Sequence, residues 1–271
     1  MIRVHIAPFA MPIVSFSYMT LKIGFYMVEI TPLVFGNVSF LVNNNFIKNN
    51  ELINLQSFFD RDTILKGKDV LTKGGRGKTI LFKKDGFDLI LRHYKRGGLF
   101  GKLVKDSFFT FESYCNRSFD EFKLLNYMLS VNLPVPKPVI AREIKEGIKL
   151  KQDIVVERLN GFVDLSEVIS KRELTETELA NIGKTIKQFF DKDILHTDLN
   201  IRNILINDNA EVYIIDFDKC FNKKLDVKDR IDVVSRLHRS FRKEVTKKGS
   251  DSVFYKDASF KILLNNALPT L

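Results

Sequence analysis

A chain of 271 residues, 45% of them hydrophobic, can bury a substantial core, which excludes an intrinsically disordered protein. Two cysteines, Cys115 and Cys220, are too few for a disulfide framework, so we expect a reducing, cytosolic environment. A formal net charge of +10 indicates an anionic partner: a lipid surface, a phosphorylated substrate or nucleic acid. Nucleic acid is the least favoured, because no zinc-finger spacing or RNA-binding signature accompanies the charge.

Residues 1–60 are predicted to form an N-terminal extension and lead-in. Within them, residues 6–21 are mostly apolar but contain Pro8 and Pro12, so the segment is too short and interrupted to span a membrane. It also lacks the small-residue cleavage site of a signal peptide. A signal peptide is the least favoured explanation of this segment, and contact with a membrane surface, a misplaced start codon and an unimportant extension stay open.

Residues 61–159 show a strand-rich pattern. Residues 79–82 and 89–94 are short apolar runs joined by a Lys-Lys-Asp-Gly turn, which predicts strand, turn, strand. Alternation in the second strand places Leu89 and Leu91 on one face and Arg92 on the other. A helix follows, and its apolar spacing is set by four residues: Phe119, Phe122, Leu125 and Met128. Residues 133–138 contain three prolines that end it, and residues 154–156 form a short buried strand.

Residues 160–271 show a mainly helical pattern. Thr175 and Glu178 form a capping box before a helix whose apolar stripe comprises Leu179, Ile182, Ile186 and Phe189. A later helix is predicted to bury Ile231, Val234, Leu237 and Phe241 and to expose Arg236, Arg239, Arg242 and Lys243. The sequence therefore predicts an α+β protein with a strand-rich N-lobe and a helical C-lobe.

Two polar motifs lie among three short apolar runs of the second half. Residues 196–203 match the pattern H-x-D-L-x-x-x-N, and an Ile-Asp-Phe-Asp segment begins at Ile215. In this order, each beside an apolar run, they resemble the catalytic and magnesium loops of protein-kinase-like enzymes. That resemblance implies a two-lobed protein-kinase-like fold and phosphoryl transfer from ATP with Mg²⁺.

Phosphoryl transfer needs one carboxylate to accept a hydroxyl proton and another to hold the metal. Asp198 is the candidate base, and Asp216 and Asn203 are the candidate magnesium ligands, since an amide oxygen avoids the repulsion of a third carboxylate. His196 is expected to be structural, because a residue directly after a buried strand tends to anchor the backbone. The alternative is that these residues only cap and turn a loop.

A kinase site also needs a cation for the α- and β-phosphates and a helix glutamate that orients it. Arg92 and Glu121 are the candidates, because arginine grips a phosphate with two donors and an unpaired Glu121 on the inward face of its helix is costly. The alternative is an ion pair that only ties sheet to helix.

Further candidates for nucleotide binding are Gly75, Arg76 and Gly77, in a glycine-rich segment before the first strand, and Glu157, after the strand at residues 154–156. An ordinary hairpin turn stays the alternative for the glycines. Lys95, Arg96, Lys102 and Lys105 form a basic loop interleaved with glycine and apolar residues. That loop is either a solvated charged face or a contact for an anionic, partly lipidic acceptor.

From about residue 74 to 243 the chain resembles the bacterial 3-deoxy-D-manno-octulosonic acid (Kdo) kinases. The resemblance rests on these segments: Gly75-Arg76-Gly77, Leu91-Arg92-His93-Tyr94, Arg96-Gly97-Gly98-Leu99, Leu133-Pro134-Val135-Pro136-Lys137-Pro138, His196-Thr197-Asp198-Leu199-Asn200 and Ile215-Asp216-Phe217-Asp218-Lys219-Cys220. It implies phosphorylation of the 4-hydroxyl of Kdo on lipid A, in lipopolysaccharide inner-core biosynthesis. The enzyme is then expected to be peripheral, on the cytoplasmic face of the bacterial inner membrane.

Arg202 stands where the family is expected to have histidine, a departure that bears on acceptor binding. One alternative function is another small-molecule kinase, acting on aminoglycosides or choline. Its acceptor sites are usually acidic, and the net charge argues against it. The other is a catalytically inactive kinase-like membrane-binding protein, against which the intact Asp198, Asn203 and Asp216 argue.

Overall fold

The computed structural model describes residues 19–21, 28–47, 49–66, 71–72, 79–94, 108–109, 116–249 and 252–269. The strands are β1 Met19–Leu21, β2 Val28–Phe35, β3 Val38–Asn43, β4 Leu71–Thr72, β5 Ile80–Lys84, β6 Phe87–His93, β7 Phe108–Phe109, β8 Pro138–Glu146, β9 Lys149–Glu157, β10 Val163–Asp164, β11 Ile194–Leu195, β12 Ile204–Ile206, β13 Val212–Ile214 and β14 Phe221–Asn222. The helices are α1 Arg61–Lys66, α2 Arg117–Ser130, α3 Leu165–Val168, α4 Glu176–Asp191, α5 Val227–Lys248 and α6 Phe260–Ala267, with 3-10 helices at Asn49–Phe58 and Asp257–Ser259. A strand-rich first part and a helical second part confirm the predicted fold class.

One antiparallel sheet forms the frame of the first part. Its strand order is β1-β2-β3-β8-β9-β6-β5-β4, and β7 pairs with β9. The sheet extends across residue 60, since Val38 of β3 pairs with Ile144 of β8. Phe40 and Val42 of β3 are buried in the same apolar cluster as Leu55. The predicted boundary at residue 60 stays a prediction, but strands on both sides of it share one sheet.

Strand β6 places Arg92 on the face of the sheet that meets α2. Leu89 and Leu91 are buried in one apolar cluster, whereas Tyr94, on the Arg92 side, is buried in the other. Helix α2 packs on β8 and β9. Its Glu121 is only 2% exposed, so the sheet and the helix enclose the carboxylate that was predicted to face inward.

The second part is built on α4, α5 and α6. Thr175 and Glu178 form the predicted capping box of α4, and its four predicted stripe residues are buried. In α5, however, Ile231 is 43% exposed, so the prediction that it is buried was wrong. The buried stripe of α5 runs instead through Val233, Val234, Leu237 and Phe241, and one turn before it Arg230 lies over the ring of Phe190.

Candidate active site

The two predicted motifs meet at the hairpin formed by β12 and β13. Ile204 pairs with Ile214, and the amide of Ile215 then donates to the carbonyl of Asn203 at 2.9 Å. This pairing extends the hairpin beyond both strands. It places Asn203, at the end of the first motif, beside Asp216, at the start of the second.

His196 fixes the backbone of both loops. Its Nδ1 accepts from the amide of Asp198 at 3.2 Å, which leaves Nε2 as the protonated nitrogen that donates to the carbonyl of Ile215 at 3.1 Å. Burial lowers the pKa of His196, so the neutral ring that this pattern requires is the stable form. The ring also packs on Phe217. These contacts agree with the structural role predicted for His196.

Asp198 and Asn203 differ in exposure. Asp198 is exposed, so an acceptor from solvent can reach its carboxylate. Asn203 is 8% exposed, and its Nδ2 donates to the carbonyl of Asp198 at 3.0 Å. With the amide nitrogen engaged, Oδ1 is the atom that Asn203 presents to a metal.

Asp216 has a left-handed backbone with a φ of 65°, which is uncommon for a residue other than glycine and recurs at functional sites. Its side chain is 43% exposed. The loop thus turns sharply after Ile215 and leaves a carboxylate accessible beside Asn203. Both residues offer oxygen atoms, the ligands that Mg²⁺ prefers, and magnesium sites usually take one or two protein carboxylates and complete the shell with water and phosphate. In the described part of the chain no group of three or more His, Cys, Asp or Glu side chains is suited to hold a metal.

Arg92 bridges Glu121 and Asp216. Its Nη1 donates to Oε1 of Glu121 at 2.8 Å, and its Nη2 donates to Oδ1 of Asp216. Glu121 also accepts from the hydroxyl of Tyr94 and, at 3.2 Å, from the amide of Phe217. The structure therefore brings together the predicted cation, its helix glutamate and the second motif.

The charges of this cluster depend on one another. Burial raises the pKa of Glu121, and the positive charge of Arg92 opposes that rise. Burial alone would lower the pKa of Arg92, but the carboxylates of Glu121 and Asp216 outweigh it and raise that pKa above its ordinary value. Arg92 stays charged, and this charge is what allows a carboxylate at Glu121 to be buried.

A second ion pair, absent from the sequence-based set, joins α2 to the same loop. Nε of Arg117 donates to Oδ1 of Asp218 at 2.7 Å, and Nη2 donates to Oδ2. The guanidinium lies 5.3 Å from the ring centre of Tyr94. Arg117 precedes Glu121 by one helical turn, so it shares the face of α2 that meets the loop. The four-residue spacing between Arg117 and Glu121 is the sequence signal that could have identified Arg117.

The other predicted nucleotide-binding residues have different outcomes. Glu157 ends β9, and its Oε2 forms an ion pair with Nζ of Lys137 at 3.2 Å. None of the described ion pairs joins Glu157 to Arg92, Glu121 or Asp216. Gly75, Arg76 and Gly77 lie outside the described residues, and so do the four basic residues Lys95, Arg96, Lys102 and Lys105. Their roles stay predictions.

A pocket of about 480 Å³ opens beside Asp198, between its loop and α5. Its lining residues are Asp198, Asn200, Ile201, Arg202, Arg236, Arg239, Ser240, Lys243, Glu244 and Lys247. Five are cationic and two are carboxylates, so the pocket has an excess of three positive charges. Three of the four cations predicted to face outward from α5, Arg236, Arg239 and Lys243, thus form a wall beside the candidate base.

Comparisons with known proteins agree with this arrangement. A family model described as the lipopolysaccharide kinase (Kdo/WaaP) family matches residues 64–255, a span that includes every candidate catalytic and metal-binding residue. The 3-deoxy-D-manno-octulosonic acid kinase of Vibrio cholerae is 40% identical over 183 residues, which cover 68% of this chain and 77% of that protein. The enzyme of the same name from Haemophilus influenzae is 39% identical over 179 residues, covering 63% and 74% respectively.

A solved structure, WaaP in complex with acyl carrier protein, is similar in fold. It aligns with a TM-score of 0.51 and 12% sequence identity, covering 80% of this chain and 87% of that one. At this identity the likeness concerns the fold alone. It agrees with the two-lobed arrangement predicted from the sequence.

Proposed function

Since the chain belongs to the lipopolysaccharide kinase (Kdo/WaaP) family, and is thus a kinase of lipopolysaccharide core biosynthesis, we propose that it phosphorylates the 4-hydroxyl of Kdo attached to lipid A. The phosphate donor is ATP. The observation that most supports this acceptor is the basic pocket beside the exposed Asp198, because Kdo is a sugar acid and lipid A is phosphorylated. An aminoglycoside or choline acceptor is cationic and is disfavoured by the same pocket.

The proposed chemistry assigns one task to each group. Asp198 accepts the proton of the acceptor hydroxyl, whose oxygen attacks the γ-phosphorus while the bond from that phosphorus to the β,γ-bridging oxygen breaks and ADP leaves. Arg92, held by Glu121, neutralises phosphate oxygens of the nucleotide with two donors. Asn203 and Asp216 would hold Mg²⁺, which would supply positive charge to the phosphates. Glu121 also accepts from the amide of Phe217, which ties the position of Arg92 to the loop that presents Asp216.

The experiment that tests this function is phosphorylation of a defined acceptor. Purified protein is incubated with ATP, Mg²⁺ and Kdo-lipid A, and the product is examined by mass spectrometry. We expect the addition of one phosphate, placed on the 4-hydroxyl of Kdo by fragmentation and NMR. Phosphate on lipid A alone, or phosphorylation of a cationic aminoglycoside in place of Kdo-lipid A, would contradict the proposal.

We also propose that the enzyme acts as a peripheral protein on the cytoplasmic face of the bacterial inner membrane. None of the helices in the described ranges is long and apolar enough to cross a membrane. Attachment is assigned to Lys95, Arg96, Lys102 and Lys105, since each basic residue near an anionic surface contributes about 1 kcal/mol. Such binding is screened by salt.

Vesicle sedimentation distinguishes this attachment from anchoring by the apolar residues 6–21. The full chain, a variant with alanine at the four basic positions and a deletion of residues 1–26 are compared at low and high salt. We expect high salt and the alanine substitutions each to release the protein. Binding that resists both but disappears with the deletion would assign attachment to the N-terminal segment.

A further inference from the structure

Arg202 lies on the catalytic loop, four residues after the candidate base, and it lines the same pocket. Its Nη2 donates to both carboxylate oxygens of Glu244 in α5, at 3.2 Å and 3.1 Å. Among the described residues, Glu244 is the one side chain to which the guanidinium of Arg202 donates hydrogen bonds. Its Nη1 and Nε groups therefore keep donors for a ligand.

Glu244 is a buried carboxylate, and one of its two cationic partners, Arg202, lines the pocket. Its side chain is 6% exposed, whereas that of Arg202 is 55% exposed. Lys248, one turn further along α5, adds a second cation at 3.1 Å. Burial would raise the pKa of Glu244, but its contacts with Lys248 and Arg202 outweigh burial and lower it, so the carboxylate is charged when it binds Arg202.

The catalytic loop is also joined to the same face of α5 through its backbone. The amide of Ile201 donates to Oγ of Ser240 at 3.1 Å, and that hydroxyl donates to the carbonyl of Leu237 at 2.7 Å. Arg236 precedes Ser240 by one helical turn, so it lines the pocket beside this contact. The loop and α5 are thus joined at two adjacent residues, Ile201 and Arg202.

We propose that Arg202, positioned by Glu244 and assisted by Arg236 and Arg239, binds an anionic oxygen group of the acceptor and fixes the hydroxyl that faces Asp198. This inference rests on the proposed function and adds the residues that select its substrate. Two anionic groups of the acceptor have this chemistry: the carboxylate of the sugar acid and a phosphate of lipid A.

The carboxylate is the better match. In a 2-keto sugar acid the carboxyl carbon is bonded to C2, and the phosphorylated hydroxyl is on C4 of the same ring. A cation that holds the carboxylate must then lie within one sugar ring of the base. Arg202 is the candidate for this cation, because it and Asp198 belong to one short loop and line one pocket. A planar guanidinium also matches a carboxylate with two parallel hydrogen bonds.

The test compares three acceptors with each variant: Kdo-lipid A, its carboxylate methyl ester, and the acid form without lipid A phosphates. For the wild type we expect the ester to lower kcat/KM by about tenfold to a hundredfold, the range of one charge-assisted hydrogen bond. In Arg202→Gln the acid and the ester should become nearly equal substrates. The loss should appear mainly as a higher KM for the acceptor.

Glu244→Gln tests positioning, since the amide keeps the shape but loses the charge that holds Arg202. We expect the ratio of kcat/KM for the acid to kcat/KM for the ester to lie between the values of the wild type and Arg202→Gln. The double variant should have a kcat/KM for the acid no lower than that of Arg202→Gln alone. Arg242→Gln is the matched control: it removes one arginine from the same helix, and its exposed pair with Asp257 lies outside the pocket. The control should keep the wild-type ratio.

The outcomes separate the two sources of charge. The proposal would be overturned if Arg202→Gln left unchanged the ratio of kcat/KM for the acid to kcat/KM for the ester. It would also be overturned by a variant that loses only its preference for phosphorylated lipid A, since the bound group would then be a phosphate. A wild-type protein that transfers no phosphate to any of the three acceptors would overturn the proposed function itself, and the present inference with it.

Discussion

Replacing Arg92 with lysine and with alanine tests whether its ion pairs serve catalysis. The guanidinium donates to Glu121 at 2.8 Å through one nitrogen and to Asp216 through another. A lysine ammonium is a single point charge, so we expect it to satisfy one carboxylate and to leave the other with one charge-assisted hydrogen bond fewer. Such a bond is worth about 1.5–3 kcal/mol, or about tenfold to a hundredfold in kcat/KM for ATP.

Arg92→Ala is expected to cost more than Arg92→Lys. It leaves Glu121, whose side chain is 1% exposed, buried without its cation. Breaking a buried ion pair costs about 3–5 kcal/mol of stability. Because burial already raises the pKa of Glu121, the unpaired group should take up a proton more readily. The stability loss in Arg92→Ala should therefore shrink as the pH falls.

Steady-state kinetics with ATP, calorimetric titration with magnesium-ATP and thermal unfolding measure these effects. Arg142→Lys is the matched control, since Nη2 of Arg142 binds the buried Asp153 at 2.6 Å in the same sheet, where its guanidinium lies over Phe59. The control should lose stability but keep the KM for ATP. Equal kcat/KM in the wild type and both Arg92 variants would refute a catalytic role. An equal kinetic loss in Arg142→Lys would do the same.

Asp198→Asn should abolish turnover and leave nucleotide binding nearly intact, because an amide cannot accept the hydroxyl proton. Asp216→Asn should instead weaken the binding of magnesium-ATP. Steady-state kinetics and calorimetric titration together distinguish the two effects. Burial raises the pKa of Glu143 from 4.5 to about 7, so the folded chain holds this proton more tightly than the unfolded one, and stability falls as pH rises through that window. Glu143→Gln should therefore raise the Tm by several degrees at pH 8 and by less than half as much at pH 5; equal gains at both pH values would contradict this. Gly183→Ala should lower the free energy of unfolding by about 1–3 kcal/mol, since a Cβ there would overlap the backbone of α6. Denaturant unfolding measures this loss, and Lys184→Ala, at the exposed neighbouring position, is the control. Equal free energies of unfolding for the two variants would contradict the overlap.

The sequence predicted the parts of the fold that local patterns encode. The capping box of Thr175 and Glu178, the alternation of β6 and the inward position of Glu121 depend on residues close in the chain, whose periodicity follows from helix and strand geometry. The same rules failed at Ile231. One turn before the buried stripe of α5 lies the half-buried Arg230, whose guanidinium is 5.8 Å from the ring centre of Phe190, while Ile231 faces outward.

The membership of β2 and β3 in the main sheet was not predicted. Residues 38–43 have an apolar pattern that suits a strand, but nothing local indicates which strand is the partner. The partner of β3 is β8, about a hundred residues later in the chain. Strand pairing over such a separation is decided by the packing of whole faces and leaves no local signature.

The sequence by itself determined which candidate groups the site contains and their order: a candidate base, a candidate amide ligand and a candidate carboxylate ligand on two loops, with an arginine and a glutamate as candidates for the phosphates. Only the tertiary structure decided which further ion pairs form around them. Arg117 joins Asp218 across 101 residues, and Arg202 joins Glu244 across 42. Motif spacing defines what a short loop can present, because its residues share one backbone segment. The second partner of an ion pair comes from whichever element packs against that loop, and burial makes that pairing energetically necessary.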